Sequence, residues 1–232
     1  ADESSAANGV ATGSDTCGDV TITESDVEVG GCGNTKVITR TWVATDDCGN
    51  TTSGDQVITV VDTTPPSIAC PADVTIECTE DTSSASNGVA TGSDTCGEVV
   101  ITESDAVTPG TCPNEWTITR TWVATDDCGN QTSCDQVIFV EDTKAPVITI
   151  LGNIEETVEC SETYVDAGAT AADNCDGDVS ASINAVSTVD TSRPGTYTVT
   201  YNVSDAQGNA ATQVTRTVNV EDTTSPTIGF AN

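Results

Sequence analysis

A chain of 232 residues with 37 Asp and Glu against 6 Lys and Arg carries a formal net charge of -31 at pH 7, and it contains no His and no Met. That balance excludes nucleic acid as a partner, because such affinity rests on basic side chains neutralising phosphate, and it disfavours anionic membrane surfaces for the same reason. Aromatic residues make up 3% of the chain, so its core is thin, and no apolar run approaches the length of a membrane span.

High charge with few aromatics is also the signature of disorder, but strand periodicity and eleven cysteines argue against that reading. In chain order, NGVATGSDTCG at 8–18 and TRTWVATDDCGN at 39–50 are followed by VVDT at 60–63. The first motif returns at 87–97, shifted by 79, and the second at 119–130, shifted by 80. VEDT closes the second copy at 140–143 and a third at 220–223. The chain is therefore an array of one unit: 1–63, 64–143 and a diverged 144–223, in which YNVSDAQGN replaces WVATDDCGN. The first unit lacks a counterpart of 67–78, whereas 223–232 (TTSPTIGFAN) resembles 63–70 (TTPPSIAC). We read this either as a window of a longer array or as a subunit that borrows its missing strand from a neighbour. Residues 224–232 are then the start of a next repeat or a donor strand.

Within the second unit, short segments bounded by Asp, Gly, Asn and Pro are expected as strands at 74–78, 88–92, 99–103, 116–124 and 136–140. Across 116–124 the alternation puts Trp116, Ile118, Arg120 and Trp122 on one face and Thr117, Thr119, Thr121 and Val123 on the other. Helical periodicity is not apparent. Several short strands at this spacing suggest an antiparallel sandwich of immunoglobulin-like topology.

Differences between the copies suggest how the cysteines pair. The third unit keeps only Cys160 and Cys175, which proposes Cys160–Cys175 and, by equivalence, Cys78–Cys96. The first keeps Cys32 and Cys48, which proposes Cys32–Cys48 and Cys112–Cys128. Cys70 and Cys134 remain as a third pair, and Cys17 is left unpaired. Without His or a CxxC pair, zinc is a poor alternative, and disulfides place the chain outside the cytosol.

CPADVTIEC at 70–78, TITRTWVATDDCGN at 117–130 and VEDTKAP at 140–146 resemble the HYR and HYR-like immunoglobulin-fold repeats of large bacterial surface adhesins. AADNCDGDVS at 171–180 with YNVSDAQGN and VEDTTSP is similar to related bacterial Ig-like repeats. The resemblance covers nearly the whole chain. It implies an all-β fold of tandem immunoglobulin-like antiparallel sandwiches forming an elongated rod on the bacterial cell surface.

Acidic residues concentrate in three places: the SDTCG(D/E) loop (Asp15, Asp19, Asp94, Glu98, Asp173, Asp176, Asp178), the TDDCGN loop (Asp46, Asp47, Asp126, Asp127, Asp205) and the linkers (Asp62, Asp142, Asp222). In an immunoglobulin-like sandwich the first two loops share the pole that faces the preceding domain. Asp62 is thus expected to approach Asp94, Glu98, Asp126 and Asp127. Asp142 is expected to approach Asp173, Asp176, Asp178 and Asp205. Crowded carboxylates repel unless a cation neutralises them, and calcium, with six to eight oxygen ligands in flexible geometry, suits a cadherin-like junction. DDCGN also reads as an ordinary tight turn, since Asp, Asn and Gly are turn residues, and both readings stand.

Catalysis is not expected. There is no His for base work, no GxSxG motif and no phosphate loop, and Asp pairs recur in every unit where an active site needs one pocket. The reading is a non-catalytic structural segment of a secreted adhesin, stalk or filament, stiffened by disulfides and interdomain calcium. The alternative is an adhesive module that grips a carbohydrate or protein ligand directly. Expected partners are further copies of the repeat, in the same polypeptide or a homopolymer, and a host, prey or surface ligand.

Overall fold

Thr, Val and Ile at alternating positions, interrupted by Asp-, Asn- and Gly-rich turns, leave the backbone little choice but extended strands. A computed structural model describes residues 2–229 and shows an all-β chain. Its strands in order are β1 Val20–Gly30, β2 Lys36–Asp46, β3 Thr51–Val60, β4 Ser67–Ala69, β5 Val74–Glu77, β6 Thr91–Ser93, β7 Val99–Pro109 and β8 Trp116–Asp126, followed by β9 Gln131–Glu141, β10 Val147–Ile150, β11 Glu155–Glu159, β12 Ala169–Asp173, β13 Gly177–Asp178, β14 Asn184–Ser187, β15 Gly195–Asn202 and β16 Val214–Glu221. The strand expected at 88–92 starts later, as β6. The chain just before it forms a single helical turn, Ser84–Asn87, because Asp81 accepts from the Ser83 amide and the Ser86 hydroxyl and so competes for the backbone.

Sheet order repeats along the array. In the third repeat it is β11-β16-β15-β14, with β11 parallel to β16 and the other pairs antiparallel; the middle repeat has the matching order β5-β9-β8-β7, and the first has β1-β2-β3. The opposing sheets are β4-β6 and β10-β12-β13, and they share a register: Ile68 lies opposite Gly92, and Ile148 opposite Ala171. This is the immunoglobulin-like sandwich.

Residues cluster into two compact units. One comprises Ala1–Ala72, Gly88–Asp105 and Arg120–Gln136. In it, the alternation of β2 and β8 buries Ile38, Arg40, Arg120, Trp122 and Ala124. Each buried guanidinium meets a carboxylate on the neighbouring strand: Arg40 donates to Asp26 at 2.7 and 2.8 Å, and Arg120 to Asp105 at 2.8 Å from both nitrogens. Trp122 is 3% exposed, whereas its counterpart Trp42 is only half-buried.

The other unit comprises Asp73–Asn87, Ala106–Thr119 and Val137–Asn232. It has one cluster around Ile118, Ile138 and Val140, and a larger one around Ile148, Ala171, Val199, Tyr201, Val203 and Val218. Arg216 is buried within it, donating to the Asn153 carbonyl at 3.0 Å and pairing with Asp166, which also accepts from the Tyr201 hydroxyl at 2.7 Å. Burial, together with the Asp166 charge, pushes the Tyr201 phenol well above its ordinary pKa.

The cysteines correct the expected pairing. Cys32 is bonded to Cys128 and Cys78 to Cys175, so both links run from one repeat to the next; Cys70–Cys134 closes the middle repeat. Cys32–Cys48 cannot form, because the two residues flank the 11-residue strand β2 and lie on the order of 30 Å apart. Cys112–Cys128 fails for the same reason across β8. Cys160–Cys175 does not form either: the backbone amide of Cys160 donates to the Glu221 carbonyl at the end of β16, while Cys175, in the β12–β13 turn, is bonded to Cys78. Cys78 and Cys96 hold the corresponding places in the middle repeat and are likewise not bonded to each other. Cys17, Cys48, Cys96, Cys112 and Cys160 are free thiols.

Candidate metal centre

Within the TDDCGN segment the first Asp organises the turn. Asp126 Oδ1 accepts from the amides of Cys128 (2.8 Å) and Asn130 (2.9 Å), while Oδ2 accepts from the Asn130 side chain (2.9 Å). Gly129 adopts φ +87°, a conformation that only glycine reaches without strain. Asp46 with Asn50, and Asp205 with Asn209, build the same turn. The turn reading therefore holds, and the Asn that closes the turn also reaches the linker. Asn209 Nδ2 donates to the Asp142 carbonyl at 3.0 Å, and Asn130 Nδ2 to the Asp62 carbonyl at 3.3 Å.

After the third-repeat turn is built, Asp142, Asp173 and Asp205 each present a carboxylate oxygen, and these oxygens all lie within 4.8 Å of one another. The side chains are 5%, 9% and 9% exposed. Asp173 Oδ1 is occupied by the amides of Cys175 (2.7 Å) and Asp176 (3.0 Å), and Asp142 Oδ1 by the amide of Lys144 (3.2 Å). The other oxygen of each, Asp142 Oδ2 and Asp173 Oδ2, is buried without a hydrogen-bond partner. Burial pushes the Asp142 carboxyl above its usual range, and the charges of Asp173, Asp205 and Glu77 add to that shift. At this separation each carboxylate pair repels by roughly 4 kcal/mol at an effective dielectric of 20.

Glu77 belongs to the same neighbourhood, although its residue type and position did not suggest it. It ends β5 opposite Glu141, accepts from the Thr143 amide and hydroxyl through Oε1, and keeps Oε2 buried without a partner. A carboxylate oxygen of Glu77, one of Asp142 and the Cys175 sulfur lie within 4.8 Å, but that sulfur is engaged in the disulfide to Cys78. The available signal was the Glu-Cys pair at the end of both 74–78 and 155–160, since Glu159 accepts from Thr223 just as Glu77 does from Thr143.

The preceding junction has the same plan with fewer carboxylates. Asp62 and Asp94 group with the free thiol of Cys96. Most of the remaining acidic candidates have hydrogen-bond partners outside these groups, while Glu98 and Asp19 contribute backbone amides. Asp127 accepts from the Glu98 amide and Asp47 from the Asp19 amide, tying the two loops of each repeat together. Asp176 accepts from Asn114 and the Ala206 amide, Asp178 from Ser180, Asp15 from the Cys17 amide and Asp222 from the Thr224 amide. The donor set at Asp142, Asp173 and Asp205 is all oxygen, net negative and short of positive partners, which fits a hard divalent cation and calcium in particular.

Residues 148–220 match the family model described as bacterial surface protein, Ig-like domain. Across 95% of its length the chain is 30% identical to hyalin of Strongylocentrotus purpuratus, of which it spans 19%. Among solved structures, a lipoprotein of Bacteroides thetaiotaomicron is 28% identical over 35% of this chain and 40% of that one, with a TM-score of 0.31. Drosophila N-cadherin EC1-4 is 15% identical over 83% of this chain and 59% of that one, with a TM-score of 0.33. The surface Ig-like match at residues 148–220 and the disulfides fit an extracellular setting.

Proposed function

We propose that the chain is a non-catalytic structural segment of a bacterial surface adhesin, stalk or filament, in which each repeat is one immunoglobulin-like module of the HYR type and each junction is fixed by a disulfide and by calcium. The carrying observation is the pair of buried, unpartnered oxygens of Asp142 and Asp173, converging with Asp205. Calcium there would offset the mutual repulsion of the carboxylates and tie the linker to both loops of the third repeat. Asp142, Asp173 and Asp205 are the proposed ligands, with Glu77 as a fourth. Asp62 and Asp94 are the proposed carboxylates of a second, weaker site.

Calcium titration of the 232-residue chain by calorimetry tests this. The expected result is a tighter site that disappears in Asp173→Asn while the weaker one remains, with a melting temperature that falls in excess EDTA. Identical melting with calcium and with EDTA, and no heat of binding, would rule the reading out.

A further inference from the structure

The four carboxylates of the buried centre come from two stretches of chain within one compact unit, and a disulfide ties the stretches together. Glu77 and Asp142 belong to the end of the middle repeat and its linker. Glu77 Oε1 accepts from the Thr143 amide and hydroxyl, and the Cys78 amide donates to the Glu141 carbonyl at 3.1 Å, so this pair is held together along β5 and β9. Asp173 and Asp205 belong to the third repeat, where each organises its own loop: Asp173 Oδ1 accepts from the amides of Cys175 and Asp176, and Asp205 Oδ1 from those of Gly208 and Asn209. Asn209 joins the two stretches through one hydrogen bond to the Asp142 carbonyl, whereas Cys78–Cys175 joins them covalently.

Both cysteines stand beside a ligand. Cys78 directly follows Glu77, and the Cys175 amide orients Asp173 at 2.7 Å. A carboxylate oxygen of Glu77, one of Asp142 and the Cys175 sulfur lie within 4.8 Å of one another, so the disulfide forms a wall of the acidic cluster. The bond replaces a separation of 97 residues along the chain with 6.0 Å between Cα atoms. Closing so long a loop in advance removes an ordering cost that a bound cation would otherwise have to overcome. What the bond holds together is unsatisfied: Asp142 and Asp173 are 5% and 9% exposed, and each keeps a buried oxygen without a hydrogen-bond partner, as does Glu77.

We propose that the Cys78–Cys175 disulfide is a redox control on the cation site: the closed bond holds Glu77 and Asp142 against Asp173 and Asp205, and its reduction lowers calcium affinity by letting the two stretches separate. This rests on the calcium reading of the same carboxylates. Reduction breaks the Sγ–Sγ bond. A dithiol supplies the two electrons and two protons, closes into its own cyclic disulfide, and leaves Cys78 and Cys175 as thiols. The coupling is reciprocal: the factor by which the bond raises calcium affinity is the factor by which calcium protects the bond from reduction at equilibrium. Cys70–Cys134 flanks none of the four ligands in sequence and serves as the internal reference.

Two measurements on the 232-residue chain test this. In dithiothreitol redox buffers, with saturating calcium or with EDTA, alkylation and peptide mapping read the reduced fraction of each disulfide. Calcium should move the midpoint of Cys78–Cys175 by about tenfold to a hundredfold in the ratio of reduced to oxidised dithiothreitol, and leave that of Cys70–Cys134 in place. Calorimetric titration should show the tighter calcium site weakened by the same factor in the paired Cys78→Ser, Cys175→Ser variant and retained in the paired Cys70→Ser, Cys134→Ser variant. A native chain that binds calcium while its Cys78–Cys175 midpoint stays fixed overturns the redox control and leaves the site standing. Equal shifts of both disulfides also overturn it, because they report general stabilisation of the fold. A native chain that binds no calcium overturns the control and the site together.

Discussion

The side-chain amide of Asn209 bridges a turn and a linker: it donates to Asp205 Oδ2 at 2.8 Å and to the Asp142 carbonyl at 3.0 Å. Asn130 makes the same two contacts with Asp126 and Asp62. A residue that would serve any tight turn thus also fixes the path of the chain into the next repeat. Asn209→Ala removes both bonds and leaves the Asp142 carbonyl without this donor. The expected cost is about 1–3 kcal/mol, read as a lower urea midpoint with an unchanged denaturant slope.

Asp142→Asn should change sign with metal. Without calcium, the substitution removes one of three crowded charges and raises the melting temperature or leaves it unchanged. With saturating calcium it removes a ligand and lowers it. Calorimetric melts of both proteins in EDTA and in calcium check this; parallel curves in the two conditions would mean that no metal binds among these carboxylates.

The Arg120–Asp105 pair predicts a pH dependence. Hydrogen bonding to Arg120 holds the Asp105 carboxyl below the usual range of an Asp side chain. A group with a lowered folded-state pKa contributes stability above its unfolded value and loses it as pH falls through the folded one. Asp105→Asn should therefore cost about 2–4 kcal/mol at pH 7, toward the low end because Asp105 is partly exposed, and much less near pH 2. Unfolding of both proteins across that range reads the difference.

Peptide mapping without reductant separates the two cysteine schemes directly. Peptides joining Cys32 to Cys128 and Cys78 to Cys175 are expected, and peptides joining Cys32 to Cys48 are not. Each inter-repeat bond spans 96 or 97 residues, and removing one through paired Cys→Ser substitutions should cost up to about 4–5 kcal/mol on the loop-entropy model.

Trp122 and Trp42 share a sequence context but not an environment. Trp122→Ala should destabilise by about 3–5 kcal/mol, the usual cost of emptying a buried aromatic site. Trp42→Ala should cost clearly less, because its surroundings already admit water. Equal losses in chemical unfolding would contradict this difference in burial.

Much of the fold was legible in the sequence. Period-two alternation at 116–124 places Ile118, Arg120 and Trp122 on the buried face of β8, where the structure has them, because side-chain direction in a strand is a local property. The recurrence of Asp, Gly and Asn at 126–130 and 205–209 determined the turn for the same reason: its hydrogen bonds close within five residues. Sequence also identified the linker and loop carboxylates as a group, since topology delivers them to one pole.

Only the tertiary structure decided which of them converge. Asp176 and Asp178 lie within five residues of Asp173, yet Asp176 is held by Asn114, 62 residues away in sequence, and Asp178 by Ser180 two residues on, so proximity in sequence to Asp173 does not bring them to its carboxylate. The cysteines show the same limit. Periodicity reveals which positions are equivalent but not whether a pair lies within one repeat or steps to the next. That was settled by the length of β2, which holds Cys32 and Cys48 apart, and by the 5.1 Å between the Cα atoms of Cys32 and Cys128.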